Sequence, residues 1–326
     1  MRRLLTACGL SLLLYVTACA FVLDRPLSLG FLRQQLDAKI ARGAAIGSPK
    51  LVIIAGSNGP YSHRCETIEP ILGLPCVNAG VAVGIGLDMI FARWQPLLHQ
   101  GDTVYLPLEE AQYVRPRSAI TLGPDAAMML RHDRATLLTL PPDRWIAALF
   151  ASDLRALVMA VIETSLVVCH FVDPRAEVTG TTNRWGDHIG HTASLARTSL
   201  PALMAASPNH PAASAIANGA GTADVTRFLT WAHRHGVRVV GGLPTGFADV
   251  PIPLGTLAAL RALYESHGAR LLILSNQSRY PRDRFFDTPD HLNEAAQIAH
   301  SRTVALALRQ QVADMGPRGW EPARHP

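Results

Sequence analysis

Leu51-Val-Ile-Ile-Ala-Gly-Ser-Asn-Gly59 opens on four apolar residues and closes on two glycines that bracket a serine and an asparagine. The apolar run, rich in β-branched residues, predicts a short strand buried on both faces. Gly56 and Gly59 permit a tight turn that bulkier residues would resist. Beyond Pro60 the sequence becomes compatible with a helix. Ser57 is thereby presented at the C-terminal end of a strand, just ahead of a helix. In open α/β sheets that edge is where ligands bind, and a helix start there favours negative charge. The same placement also suits a plain helix cap, for which serine is a preferred residue.

Outward from this stretch, apolar runs alternate with helical patterns. Cys76–Ala79 reads as a second strand, running into the glycine-rich turn 80–86 and an amphipathic helix from Leu87 to Leu98. Thr103–Leu108 reads as a third strand after the Gly101-Asp102 turn. Past residue 220 the alternation resumes, with a helix at 223–235, a strand at 237–240, a helix at 254–267, a strand at 271–274 and a last helix at 293–311. Strands separated by helices imply a parallel sheet and an α/β fold. Residues 115–220 break the pattern and read as an insertion over the sheet's active edge. Its long apolar stretches between Asp143 and Val168 carry Asp153, Arg155 and Glu163, so they read as packed or interfacial helices rather than a span. The domain plan is an anchor or signal at 1–25, a helical stalk at 26–49, the α/β domain at 50–312 and a loose Pro/Arg-rich tail at 313–326.

The chain's formal charge of +5 is carried almost wholly by arginine, Lys39 and Lys50 being its lysines. No basic block is interleaved with aromatic residues, so no nucleic-acid partner is expected. Arg2-Arg3 precede an uncharged apolar stretch, Leu4 to Leu23, that ends at Asp24. Its length suffices for one membrane span, and the arginines place the N-terminus inside and the body outside. Val16-Thr-Ala-Cys19 also resembles a lipoprotein cleavage box, and a cleaved signal peptide is a third reading. All three export the body to the extracytoplasmic, periplasmic side. Cys65 and Cys76 enclose a short helical segment and could then bridge, whereas Cys169, in an apolar run, reads as a buried thiol.

Phe285-Phe-Asp-Thr-Pro-Asp-His-Leu-Asn293 lies between the last strand and the last helix, on the same sheet edge as Ser57. It supplies His291 and two carboxylates, Asp287 and Asp290. A serine needs a base to become a nucleophile, and the base needs an orienting acid. The chain order Ser57, Asp287, His291 permits such a triad. Asp287 is the favoured acid, because the side chain of an adjoining residue such as Asp290 usually points elsewhere. The backbone N–H groups of Ser57 and Gly80, with Asn58 beside them, would form an oxyanion hole. Glu109 and Glu110 follow the third strand and either bind a cationic or hydroxylated substrate, as Asp290 could, or cap the next segment. Asp187-His-Ile-Gly-His191 has no recognised metal spacing, and Gly84-Ile-Gly86 is no dinucleotide fingerprint, so neither metal nor cofactor is expected.

Together, Gly56-Ser-Asn58, Cys76-Val-Asn-Ala-Gly-Val81, Gly86-Leu-Asp88, Gly101-Asp-Thr-Val-Tyr-Leu-Pro-Leu-Glu109 and Phe286-Asp-Thr-Pro-Asp-His-Leu-Asn293 resemble the SGNH/GDSL-type hydrolases. More narrowly, the pattern is similar to membrane-anchored members related to the D-alanyl-lipoteichoic acid transfer protein and periplasmic alginate O-acetylation proteins. The resemblance covers residues 50–110 and 236–312. It implies a three-layer fold around a five-stranded parallel sheet of flavodoxin-like order, with Ser57 as nucleophile, Gly80 as oxyanion glycine and His291 as base. It also implies acyl-ester cleavage or O-acyl transfer to an envelope or secreted polysaccharide, with a membrane acyl-donor protein as partner. Two departures stand out. The family's oxyanion asparagine is replaced around Leu108-Glu-Glu110, and Thr288 occupies the usual position of the acid. They also suit a non-catalytic carbohydrate-binding or assembly protein that keeps the fold.

Overall fold

The computed structural model describes residues 1–22, 27–151 and 181–314, together with isolated positions between 152 and 180. Its helices are α1 (Arg2–Val22), α2 (Leu27–Ala45), α3 (Asn58–Ser62), α4 (Cys65–Leu72), α5 (Leu87–Trp94), α6 (Glu110–Val114), α7 (Arg117–Thr121), α8 (Pro124–His132), α9 (Arg134–Thr139) and α10 (Pro142–Leu149), followed by α11 (Leu200–Ala205), α12 (Ala213–Asn218), α13 (Ala220–Arg234), α14 (Leu254–Glu265) and α15 (Glu294–Asp314). The strands are β1 (Leu51–Ile53), β2 (Cys76–Asn78), β3 (Thr103–Leu106), β4 (Arg238–Gly242), β5 (Gly246–Phe247), β6 (Arg270–Leu272) and β7 (Arg279–Tyr280). The chain forms two compact units, residues 1–35 with 121–180, and residues 36–120 with 181–326.

The larger unit is an α/β body around a five-stranded parallel sheet of order β2-β1-β3-β4-β6. Val52 stands level with Val77 on one side and Val104 on the other, all three fully buried. Alternation along each strand sends Leu51, Ile53, Tyr105 and Val240 to one face, where they pack with Ile68 of α4 and Val304 and Leu308 of α15. The opposite face is covered by α5, α13 and α14; Phe91 stacks on Phe228 there, and Tyr264 fills the space a side chain at Gly241 would need. Apolar residues on both faces explain the unbroken hydrophobic runs. The chain leaves β1 toward β2 and returns to β3 on the other side, so the sheet's switch point lies between the ends of β1 and β3. A second, two-stranded parallel sheet, β5 with β7, was not foreseen.

Cys65 and Cys76 form a disulfide that ties the start of α4 to the start of β2 inside the core. Cys169, expected to be buried, is exposed. The tail from 315 onward lies outside the described residues.

The smaller unit buries an ion pair and leaves several apolar side chains exposed. In α10, Arg144 is fully buried and ion-paired with the equally buried Asp125 of α8. Ile146, Leu149 and Phe150, on and just beyond the same helix, are 61, 59 and 69 % exposed. In α1, Leu4, Leu5, Leu10, Leu12, Leu13 and Leu14 are all exposed. Among the described residues no helix is long and apolar enough to cross a membrane. The side chains of 19–31 lie outside that description, so the expected N-terminal span is without support from it.

Candidate active site

Of residues 51–60, only Ser57 is not fully buried. It stands at the N-cap of α3, yet its side chain bonds no helix amide, so it is not serving as a cap. Its carbonyl accepts the Tyr61 N–H at 3.2 Å, which places Tyr61 one turn on, along the same helix face. Close approach explains the glycines nearby. A Cβ on Gly59 would lie 2.9 Å from Gly80 Cα, and one on Gly56 would lie 2.4 Å from Glu109 Oε1.

The expected acid and base do meet. Asp287 Oδ1 lies 2.7 Å from His291 Nδ1. A carboxylate can only accept, so Nδ1 carries the proton and Nε2 is left as the basic nitrogen. Burial pushes the Asp287 carboxyl up, but the His291 hydrogen bond and charge outweigh it and hold the group below its ordinary value. The loop is fastened from behind, because Asp290 O accepts both Ser62 Oγ at 2.7 Å and Thr245 Oγ1 at 2.6 Å.

Tyr61 packs against His291. Its ring stacks on His291 with centroids 4.1 Å apart and planes 8° apart. On its other side it stacks on His188, also at 4.1 Å. His188 Nδ1 in turn lies 3.1 Å from His191 Nδ1. Burial pushes His188 down to about 3 and His191 to about 4, so both are neutral at pH 7. Among the described residues Ser57 Oγ has no hydrogen bond to the imidazole, and such contacts commonly tighten only when substrate binds.

The expected oxyanion donors are only partly free. Gly80 N–H donates to Asn78 Oδ1 at 3.3 Å. Asn58 Nδ2 donates to Pro107 O at 2.7 Å, and Asn58 N–H faces Glu109 Oε1 at 3.4 Å. Glu109 and Glu110 are each 8 % exposed, and the Glu109 N–H donates to Gln112 Oε1 at 3.0 Å at the start of α6. Glu110 Oε2 is 2.7 Å from His210 Nδ1. A cavity of about 150 Å³ opens beside these groups, lined by Glu109, Glu110, His210, Arg279, Asp290 and Phe247 among others.

Three buried groups at this edge were not singled out for it from the sequence. Asn78 donates from Nδ2 to Gly59 O, His63 O and Asp187 Oδ1 while accepting from Gly80, and so locks α3 against β2. Asp187 is fully buried and accepts the Cys65 and Glu66 N–H groups at the start of α4, and so caps that helix. Lys39 of α2 is 3 % exposed and donates to Gly80 O. Burial pulls it down to about 7 against the opposing pull of Asp187. Among the described residues no group of three or more His, Cys, Asp or Glu side chains could hold a metal ion.

No family model, no curated protein and no solved structure matches this chain.

Proposed function

We propose that the protein is an acyl esterase or O-acyltransferase that works through an acyl-Ser57 intermediate. The observation that carries the reading is the Asp287–His291 pair, stacked on a tyrosine one helical turn beyond a partly exposed serine. Ser57 Oγ attacks the acyl carbon as His291 Nε2 takes its proton. His291 then returns that proton to the departing alkoxide, and Asp287 holds the imidazole in the required tautomer throughout. Water or an acceptor hydroxyl releases the acyl group by the reverse sequence.

The cavity beside Glu109 and Asp290 supports a hydroxylated acceptor, because carboxyl groups, an arginine and a histidine converge there with apolar side chains. A polysaccharide on the extracytoplasmic side, with a membrane acyl-donor protein, is the setting that the sequence resemblance suggests. The exposed leucines of α1 and the outward apolar face of α10 favour contact with a membrane. The disulfide favours an oxidising compartment.

A non-catalytic glycan-binding role has one observation in its favour: Gly80 N–H and Asn58 N–H are both engaged by side chains. The two readings separate on treatment of the full-length, detergent-solubilised protein with a fluorophosphonate. Labelling at Ser57 that disappears in Ser57→Ala and His291→Ala is the result expected of the enzyme. A folded wild-type protein that takes up no label would overturn it and leave glycan binding.

A further inference from the structure

We propose that Glu109 replaces the missing oxyanion-hole amide: its carboxyl, seated against the Asn58 N–H, donates a hydrogen bond from its own O–H to the oxyanion formed at Ser57. This rests on the acyl-transfer reading above and assigns the site a fourth catalytic residue.

The placement is geometric. Glu109 follows β3 across the switch point from β1, so the parallel register delivers its side chain to the turn that carries Ser57. Gly56 is needed for that approach, since a Cβ there would overlap Glu109 Oε1. The 3.4 Å contact with Asn58 N–H is at the weak end for a hydrogen bond and is readily yielded to a substrate oxygen. Glu109 also lines the cavity described above.

The surroundings keep a proton on it. Burial, and then the charge of Asp290 on the 285–292 loop, push Glu109 up to about 8, against the pull of the Asn58 N–H and of Arg115 beyond α6. A neutral carboxyl at pH 7 is a donor, as an asparagine amide would be, and a buried carboxylic acid can serve in this role. When Ser57 Oγ bonds to the acyl carbon, the carbonyl π pair moves onto oxygen, and Glu109 stabilises that charge while keeping its proton. When the C–O bond to the leaving alcohol breaks, the pair returns and the alkoxide takes the proton from His291.

The test uses full-length protein, Glu109→Gln and Glu109→Ala, with p-nitrophenyl acetate hydrolysis and fluorophosphonate labelling followed from pH 6 to 10. Glutamine keeps a neutral donor, so Glu109→Gln stays within about threefold of wild type at pH 7, while Glu109→Ala loses about a hundredfold or more. Wild-type activity falls above about pH 8, and in Glu109→Gln that alkaline limb is gone. Melting curves identify any variant that fails to fold, and Glu109→Gln carries the test if Glu109→Ala does not. A Glu109→Gln as slow as Glu109→Ala, or one that keeps the alkaline limb, overturns the assignment while leaving Ser57 labelling intact. Absence of labelling in the wild type overturns the enzyme reading and this assignment with it.

Discussion

His291 and Tyr61 lie face to face, ring centroids 4.1 Å apart, although they come from opposite ends of the α/β body. The stack fixes the plane of the imidazole, and the Asp287 hydrogen bond fixes its rotation within that plane. Replacing Tyr61 with leucine keeps apolar volume and removes, among its ring contacts, the two 4.1 Å stacks on His188 and His291. Each aromatic pair is worth about 0.5–1.5 kcal/mol beyond burial, so Tyr61→Leu should lose about 1–3 kcal/mol of unfolding free energy. Labelling at Ser57 should slow by about tenfold, in line with a base held less accurately. Denaturant titration and labelling kinetics check the two effects separately.

The two carboxylates of the last loop have different duties. Asp287→Asn should slow Ser57 labelling by about a hundredfold or more, because the imidazole loses its orienting acceptor and its tautomer. Asp290 holds the loop through its backbone carbonyl, which accepts from Ser62 and Thr245, and its side chain lines the cavity beside Glu109. Asp290→Asn leaves that carbonyl in place and should change the labelling rate by less than about tenfold, a shift too small for loss of a triad member. Equal losses in both variants would reassign the acid.

Acid should unfold the larger unit early. His63 is held at about 4 and His188 and His191 at about 3 and 4, mainly by burial, below the ordinary imidazole value. Between those values and about 6.5 the unfolded chain binds more protons than the native one, so stability falls as pH is lowered through that window. Urea midpoints at pH 7 and pH 5 should differ in that direction, and His63→Gln should narrow the gap. A midpoint unchanged between the two would contradict neutral, buried histidines.

Glu109 has the opposite sign. Its native value of about 8 lies above that of a free glutamate, so between about 4.5 and 8 the native state holds the extra proton. Stability therefore declines as pH rises through that window. Glu109→Gln removes this term, so its melting temperature should gain on the wild type at pH 9 relative to pH 5.

Reducing the Cys65–Cys76 bridge releases a loop of 11 residues' separation. Chain-entropy arithmetic puts the loss at about 3 kcal/mol for a loop of this size. The double serine variant should show that loss in urea and retain the strand order, because Ile68 and Leu72 still pack the helix against the sheet.

The sheet was legible because its strands are short apolar runs stopped by glycine or by polar residues, and burial on both faces leaves no alternative pattern. The Asp287–His291 pair was legible because acid and base lie four residues apart in one loop. Tyr61 was not, since nothing local says that His188 and His291 will close on it from either side. The capping role of Asp187 was not legible for a related reason: its partners, the amides of Cys65 and Glu66, are more than 120 positions away. Glu109 was visible as a departure from a motif, but its seat against Asn58 depends on the register between β1 and β3. The β5–β7 pair, two residues in each strand, is too short to leave a periodic trace.

The hydrogen bond from Ser62 to the carbonyl of Asp290 spans 228 positions of the chain. Ser57 is among the first parts of the larger unit to be synthesised, and His291 is among the last. A chain that is still emerging therefore carries Ser57 and Tyr61 before the 285–292 loop can pack against them. On the acyl-transfer reading proposed above, the site is therefore assembled only when the C-terminal segment docks, and a chain that lacks that segment should take up no label at Ser57.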